Sequence, residues 1–475
     1  MKKTVLVCIK NLFLICGVLN FSIFADEFHN INGFFGERAA GMGGAFSAIS
    51  DDVTGAFYNP AGLGYITNNS YTINASTYQS KELKNQDFFG PNQNYNQSSR
   101  NYLPNFMGFA KRVDKFTFAF TILTKINEAF DQSERVQSPL YNSKVSQLDV
   151  SLFLSNFNLL AGPSIGYAIS SKFSVGMSLL GDYTSSRLLV NSTEVSYSNT
   201  IQSNNINEKK ITHAFSPIIG FQFMPFKKLS LGLSLRKNYV FDGKIDRKLN
   251  SSSTFSTSQN VYQGSEYLSA TVIGSNVIVS DPLTYRLPEV FEIRTGFAYF
   301  LNSRFLFTAD VIYNSNYRKY MANSAYSLSN NVYNITDPYQ NDLLRQKTLN
   351  FAGGFEFFLT DTIVLRMGYL TNRANSRKIS WAEEALLVAA RSVTGGGFVI
   401  PLNDKLNYTL ADKRSQDIDL YGYSLGLGYE TFSSSFSVSF IYQRGQGSTI
   451  LDKNQLPATS LYTDLSIFLS ASNRY

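Results

Sequence analysis

Five ionisable residues stand out because alternation turns them away from an apolar face. Phe291, Ile293 and Phe297 take one side of a strand after Pro288 and put Glu292 and Arg294 on the other. Phe305, Phe307 and Val311 likewise turn Asp310 inward, and Phe351, Phe355 and Phe357 turn Glu356 inward. Ile363, Leu365, Met367 and Tyr369 do so for Arg366. An arginine on a lipid-facing side costs about 2–4 kcal/mol at mid-membrane, so these positions read as interior. Two kinds of chemistry are open to them. Glu292, Asp310 and Glu356 can pair with the arginines as a structural ion network. Alternatively, Arg294 or Arg366 can receive a ligand carboxylate through its planar fork of donors.

Other chemistries are poorly supplied. Cys8 and Cys16 are the 2 cysteines, and both fall in the N-terminal apolar stretch, so no thiol or disulfide chemistry is expected. The 2 histidines, His29 and His213, have no clustered partners at metal-ligand spacing. Nothing in Ile-Thr-His213-Ala-Phe supports a Ser-His catalytic pair. Gly41-Met-Gly43-Gly44 follows no strand and lacks the third glycine of a dinucleotide fingerprint. The formal charge is +7, part of it from Lys2, Lys3 and Lys10, which is mild for 475 residues. Nucleic-acid binding is not expected from that balance. Neither an enzyme nor a cofactor or metal is expected.

The elements that position the five charges are strands. Charged residues are only 16% of the chain and aromatics 15%, which suits a membrane barrel with an apolar outer band. Phe116, Phe118, Phe120 and Ile122 alternate with small residues, as do Phe173 to Leu179, Leu231 to Leu235, Tyr421 to Tyr429 and Phe436 to Tyr442. Short turns are expected at Val113-Asp114, Ser170 to Lys172, Phe226 to Lys228, Asn302 to Arg304, Thr360 to Thr362 and Thr431 to Ser435. Long polar connections are expected near 80–102, 126–146, 190–212, 248–286, 317–346, 373–416 and 446–459. Together these predict an all-β fold, a 14-stranded antiparallel transmembrane β-barrel with long external loops. Trp381 to Arg391 is rich in helix formers, with Ser380 as its N-cap, and is expected as a helix inside one loop.

Ahead of the strands the chain changes character. Met1-Lys-Lys, an apolar run to Phe24, and Ala25 before Asp26 read as an export signal over residues 1–25. From Phe35 to Leu63 come small residues, the pair Asp51-Asp52, glycines at 36, 41, 43, 44 and 55, and an Asn59-Pro60 turn. Such a stretch will not form a regular strand. Residues 26–68 are therefore expected as a hatch that plugs the barrel of residues 69–475.

These residues resemble the FadL-like long-chain fatty-acid transporters of the bacterial outer membrane. The likeness lies in Gly41 to Ala48, then Asp51-Asp52, then Asn59-Pro60-Ala61. Leu287-Pro288 to Tyr299 with Ala309-Asp310-Val311, Gly354 to Tyr369, and Asp419 to Tyr442 resemble strands of the same family. The resemblance implies an outer-membrane barrel that admits long-chain fatty acids or other hydrophobic molecules by diffusion, as a monomer in outer-membrane lipid. It implies a gate at Asn59, Pro60 and Ala61 near Asp51 and Asp52. It also implies an apolar pocket touched by the residue at Phe28, and Phe57 is placed with it, as are Arg294 and Arg366 if they take a carboxylate. In the family a sideways exit opens at a kinked third strand, whereas Lys115 to Ile126 contains no Gly or Pro. The hatch pattern is also similar to barrel subunits that shuttle cargo in protein secretion. The alternative is therefore a non-transporting surface or secretion-accessory barrel.

Overall fold

The computed structural model describes residues 29–137, 145–196, 201–257, 268–273, 277–279, 283–284, 287–319, 325–328, 331–336, 343–375, 417–449 and 458–475. The export signal, Phe28 and the Trp381–Arg391 helix lie outside the described residues.

Alternating apolar and small residues build long antiparallel hairpins from the start of the sheet. These are β1 (Ser70–Gly90), β2 (Gln93–Val113), β3 (Phe116–Gln137), β4 (Val145–Ala168), β5 (Phe173–Ser196) and β6 (Ile201–Phe226). Next, β7 (Leu229–Lys237) and β8 (Tyr239–Thr257) both pair with β6, with the ladder broken between them at Asn238. The short strands β9 (Leu268–Ile273), β10 (Val277–Val279) and β11 (Leu283–Thr284) pair with β8. Then β12 (Phe291–Phe300) returns to β7, and β13 (Phe305–Asn314) folds back on β12. Outside the main wall come β14 (Tyr317–Lys319), β15 (Ala325–Leu328), β16 (Asn331–Thr336) and β17 (Leu343–Arg345). The wall continues through β18 (Thr348–Phe358), β19 (Ile363–Asn372), β20 (Asp417–Glu430), β21 (Ser434–Thr449) and β22 (Ala458–Arg474). Finally β22 pairs with β1, from Ser70↔Arg474 to Asn85↔Ser460, and the barrel is closed.

The short turns fall between strands where expected, at residues 114–115, 169–172, 227–228, 301–304, 359–362 and 431–433. The count of fourteen is corrected: among the described residues the main sheet holds 20 strands. The added strands are β8 to β11, β15 and β16, which fall largely in segments expected as polar connections, and other such segments lengthen strands already counted. Residues 80–102, 126–137, 190–196 and 201–212 continue the ladder instead of leaving it, and the stretch from 248 adds short strands. A strand that rises clear of lipid is wet on both faces, so it carries no apolar alternation to announce it.

Side-chain exposure gives the two faces of the wall. Phe109 (56%), Phe118 (48%), Tyr423 (57%) and Leu427 (55%) are exposed, while their neighbours Thr117, Ala119 and Thr121 are buried. An exposed apolar belt this continuous is the surface a bilayer covers. No helix among the described residues is long and apolar enough to cross a membrane.

The N-terminal segment lies against the buried face. It contains α1 (Glu37–Gly41), α2 (Gly55–Tyr58) and a 3₁₀ turn, η1 (Pro60–Tyr65). Positive φ at Gly36 (84°), Gly43 (64°) and Gly44 (83°) breaks the segment into these pieces. α1 touches β19 to β22, and η1 touches β3 to β6, so the segment reaches both sides of the barrel. Phe35, Met42, Phe46, Phe57, Tyr58 and Leu63 share one apolar core with wall residues that include Phe106, Leu123, Leu160 and Ile218. Burying each such side chain contributes about 1.5–3 kcal/mol. That core, rather than helix propensity, holds pieces of four to six residues in place.

Candidate functional site in the barrel interior

Asn59 ends α2 and begins η1, and its side chain makes three hydrogen bonds. Its amide donates to the Ser47 carbonyl (2.7 Å) and to the Phe221 carbonyl on β6 (3.1 Å). Its Oδ1 accepts from Ala61 N–H (3.2 Å). One side chain thus ties two parts of the segment to each other and to the wall. Pro60 supplies the fixed φ of the first turn, and the Ala61 carbonyl accepts from Ser174 Oγ at 2.8 Å. The wall admits this turn at backbone contact. A Cβ on Gly220 would lie 2.8 Å from Ala61 N, and one on its register partner Gly176 would strike Pro60. Asp51 and Asp52 are not part of the turn. Asp52 caps its own loop by accepting from Thr54 N–H (2.8 Å), and Asp51 pairs with Arg38 at 2.6 Å.

Among the described residues the interior charges around the segment form two sets that share no ion pair. In the first, Glu292 lies 3.6 Å from Arg294 and 3.8 Å from Arg236, and Asp310 lies 4.0 Å from Arg294. Asp310 also accepts from the N–H groups of Phe46 (3.2 Å) and Ser47 (3.0 Å) and from Ser47 Oγ (2.6 Å). It is therefore the wall's grip on the middle of the segment. The Arg236 guanidinium lies 4.0 Å over the Phe57 ring and donates to the Phe57 carbonyl, while Arg294 lies 5.4 Å over Tyr58. In the second set Arg38 of α1 donates twice to Glu356, each at 3.1 Å, and Arg366 donates to the same carboxylate at 2.7 Å. Arg366 also pairs with Glu430. Glu37 is buried beside this set, and burial lifts its carboxyl from 4.5 to about 7 against the pull of Arg366.

Two cavities share a wall of Asn30, Asn32, Lys125, Arg236 and Glu292. The larger, of about 160 Å³, has polar residues such as His29, Asp182 and Lys210 and an apolar edge of Ile126, Phe157, Leu287, Pro288 and Val290. The smaller, of about 20 Å³, reaches Phe57, Tyr58 and Arg294. A third, of about 470 Å³, lies at the short-turn end and is lined by Arg38, Asp51, Asp52, Glu356 and Glu430 with the 302–304 turn. Arg366 lines none of these three. Among the described residues no group of three His, Cys, Asp or Glu is placed to hold a metal ion.

The wall beside the two joined cavities has a seam. Strands β2 and β3 pair only from Val113↔Phe116 to Phe106↔Leu123. Above that point β2 stays paired with β1, with register shifts that include Asn74/Ala75 and Ser76/Gln79, and β3 stays paired with β4 as far as Gln137. Pro104, which offers no N–H, sits two residues past the last pair on β2. On β3 the ladder to β4 slips between Thr124 and Ile126, leaving Lys125 at the bulge. The seam is spanned by side chains, with Asn101 donating to the Asn127 carbonyl and Ser99 Oγ accepting from Ala129 N–H (3.3 Å). The N-terminal segment meets its lower end. Asn105 donates to the Phe34 carbonyl at 2.9 Å, and Phe35 packs 6.3 Å from Phe106.

Residues 34–378 match the family of outer membrane protein transport proteins (OMPP1/FadL/TodX). The chain belongs to this family. Solved structures of similar fold include a Pseudomonas aeruginosa FadL homologue, 13% identical with a TM-score of 0.56 over 93% of this chain and 98% of that one. The P. putida toluene transporter TodX is 14% identical with a TM-score of 0.57, over 94% and 99%. The Ralstonia pickettii toluene transporter TbuX is 12% identical with a TM-score of 0.54, also over 94% and 99%. No curated protein sequence matches the chain. As a member of the FadL/TodX family it is an outer-membrane β-barrel transport protein.

Within this family member several interior residues had escaped sequence reasoning. Arg38 and Glu37 lie in an irregular segment without a period to assign their faces, and Glu356, which Arg38 meets, is 318 residues away. Lys125 and Arg236 carry a readable signal, since both continue the inward alternation of strands whose apolar residues were recognised.

Proposed function

We propose that the barrel passes hydrophobic small molecules, long-chain fatty acids among them, across the outer membrane by diffusion, as a monomer and without catalysis or cofactor. Residues 26–68 serve as a hatch in the barrel of residues 69–475, and Asn59, Pro60 and Ala61 are its hinge against β5 and β6. Arg294 and Arg366, with Glu292, Asp310 and Glu356, hold the hatch in register rather than bind ligand. The observation that carries this reading is the seam between β2 and β3, which lies next to the buried segment and the two joined cavities. A molecule leaving there need not cross water, which would cost an alkyl chain about 0.8 kcal/mol per methylene. The names of structural neighbours, a FadL homologue and toluene transporters, support a hydrophobic cargo.

Uptake of radiolabelled fatty acid and of toluene by cells that carry the barrel tests the reading. We expect uptake above empty-vector cells for at least one of them, and its loss in Asn59→Ala with Pro60→Ala although the barrel still inserts. No uptake of either, together with a stoichiometric protein partner after mild extraction, would favour the secretion-accessory alternative.

A further inference from the structure

Among the described residues lining the two joined cavities, Lys125 is a cation held by no hydrogen bond or ion pair of its own. It projects from the β3 bulge and lines both of them. The two carboxylates that line the larger cavity are already engaged. Glu292 faces Arg236 and Arg294, and Asp182 accepts from Asn158 (2.5 Å), Thr184 (3.2 Å) and Asn238 (3.5 Å). Arg236 is committed too, by its contacts with Phe57 and Glu292. A largely enclosed ammonium with three free donors is unfavourable until an anion reaches it.

We propose that Lys125 is the specificity-determining residue of this barrel, binding the head of a singly charged, single-chain carboxylate amphiphile and so favouring it over neutral hydrocarbons. The inference rests on the transport reading above. The apolar edge formed by Ile126, Phe157, Leu287, Pro288 and Val290 starts one residue from Lys125 and accepts the chain. Asp182 and Glu292 line the same space, and their charge opposes a doubly charged head such as a phosphate monoester. A neutral hydrocarbon gives Lys125 nothing and displaces whatever solvates it.

The test is calorimetric binding to the mature protein in nanodiscs, with empty nanodiscs as the partition baseline. The probes are dodecanoate in its ionised form, dodecan-1-ol and toluene. Wild type is expected to bind dodecanoate at least about tenfold more tightly than dodecanol, the usual scale for a charge-assisted contact. Lys125→Met keeps the length of the side chain, and it should erase that preference by lowering dodecanoate affinity far more than dodecanol affinity. Lys125→Arg should retain the preference. Equal wild-type affinity for acid and alcohol, or a preference that survives Lys125→Met, overturns the assignment of Lys125 and leaves transport of apolar compounds standing. Failure of wild type to bind any of the three probes overturns the transport reading itself.

Discussion

Glu356 shows how a single carboxylate can join chain segments that are far apart. It accepts from Arg38 of the N-terminal segment and from Arg366 of the adjoining strand, and all three side chains are largely buried. Removing one partner from such a set leaves charge without compensation and is costly, about 3–5 kcal/mol. Glu37 adds a proton dependence. Seated, its carboxyl titrates near 7; displaced into water it returns to about 4.5. The groups around it are Arg366, Glu430, Ser435 and Asp52. Because the seated state holds the proton more firmly, seating is strongest below pH 4.5 and weakens as pH rises to about 7, beyond which it levels. The span is at most about 3 kcal/mol. Hydrogen exchange of residues 35–66 across this range should show protection falling in wild type and a flatter profile in Glu37→Gln. Parallel profiles would remove Glu37 as the source. Of these residues, alternation revealed Glu292, Arg294, Asp310, Glu356 and Arg366, since each sits between apolar neighbours on a two-residue period. Their division into two sets was not legible, because the segment that separates them has no period.

At the level of elements, the wall and the N-terminal segment fit by absence of side chains. Gly176 and Gly220 are paired across β5 and β6, and both face the Asn59 turn. Gly220→Val would drive a side chain into Ala61 and Pro60, a clash of the kind that costs about 1–3 kcal/mol or displaces the smaller partner. We expect the variant barrel to insert and to remain resistant to detergent, while limited proteolysis cuts between residues 59 and 66. An uncut variant would mean that the turn relaxes around the new methyl groups. The small inward residues were visible in the alternation, although that pattern alone does not distinguish a water-filled interior from one packed with protein. The upper strands were hidden for a different reason. Above the belt no apolar face is needed, so residues 80–102 and 190–196 read as polar connections although their backbone groups are paired.

For the molecule as a whole, the proposed route depends on the partial ladder between β2 and β3. A double substitution Asn101→Cys with Asn127→Cys, bridged by a short bifunctional reagent, should close the seam and abolish uptake. Phe109→Cys with Phe120→Cys joins the same strands below the seam, where they are already paired, and should leave uptake near wild type. Equal loss from both bridges would argue that motion of the whole wall, rather than the seam, is required.

The closure of β22 on β1 has a consequence for biogenesis. β1 begins five residues after η1 ends, and the Tyr475 N–H donates to the Asn69 carbonyl at 2.9 Å where the two strands meet. The N-terminal segment therefore waits for the last strand before its surroundings exist. Until then, Phe35, Phe46 and Phe57 have no core, and Asp310 and Glu356 have no donors from the segment. Contacts so remote in sequence form slowly and leave apolar surface open meanwhile. Substitutions in the interior should consequently reduce the yield of assembled barrel more than the durability of barrels that have already closed.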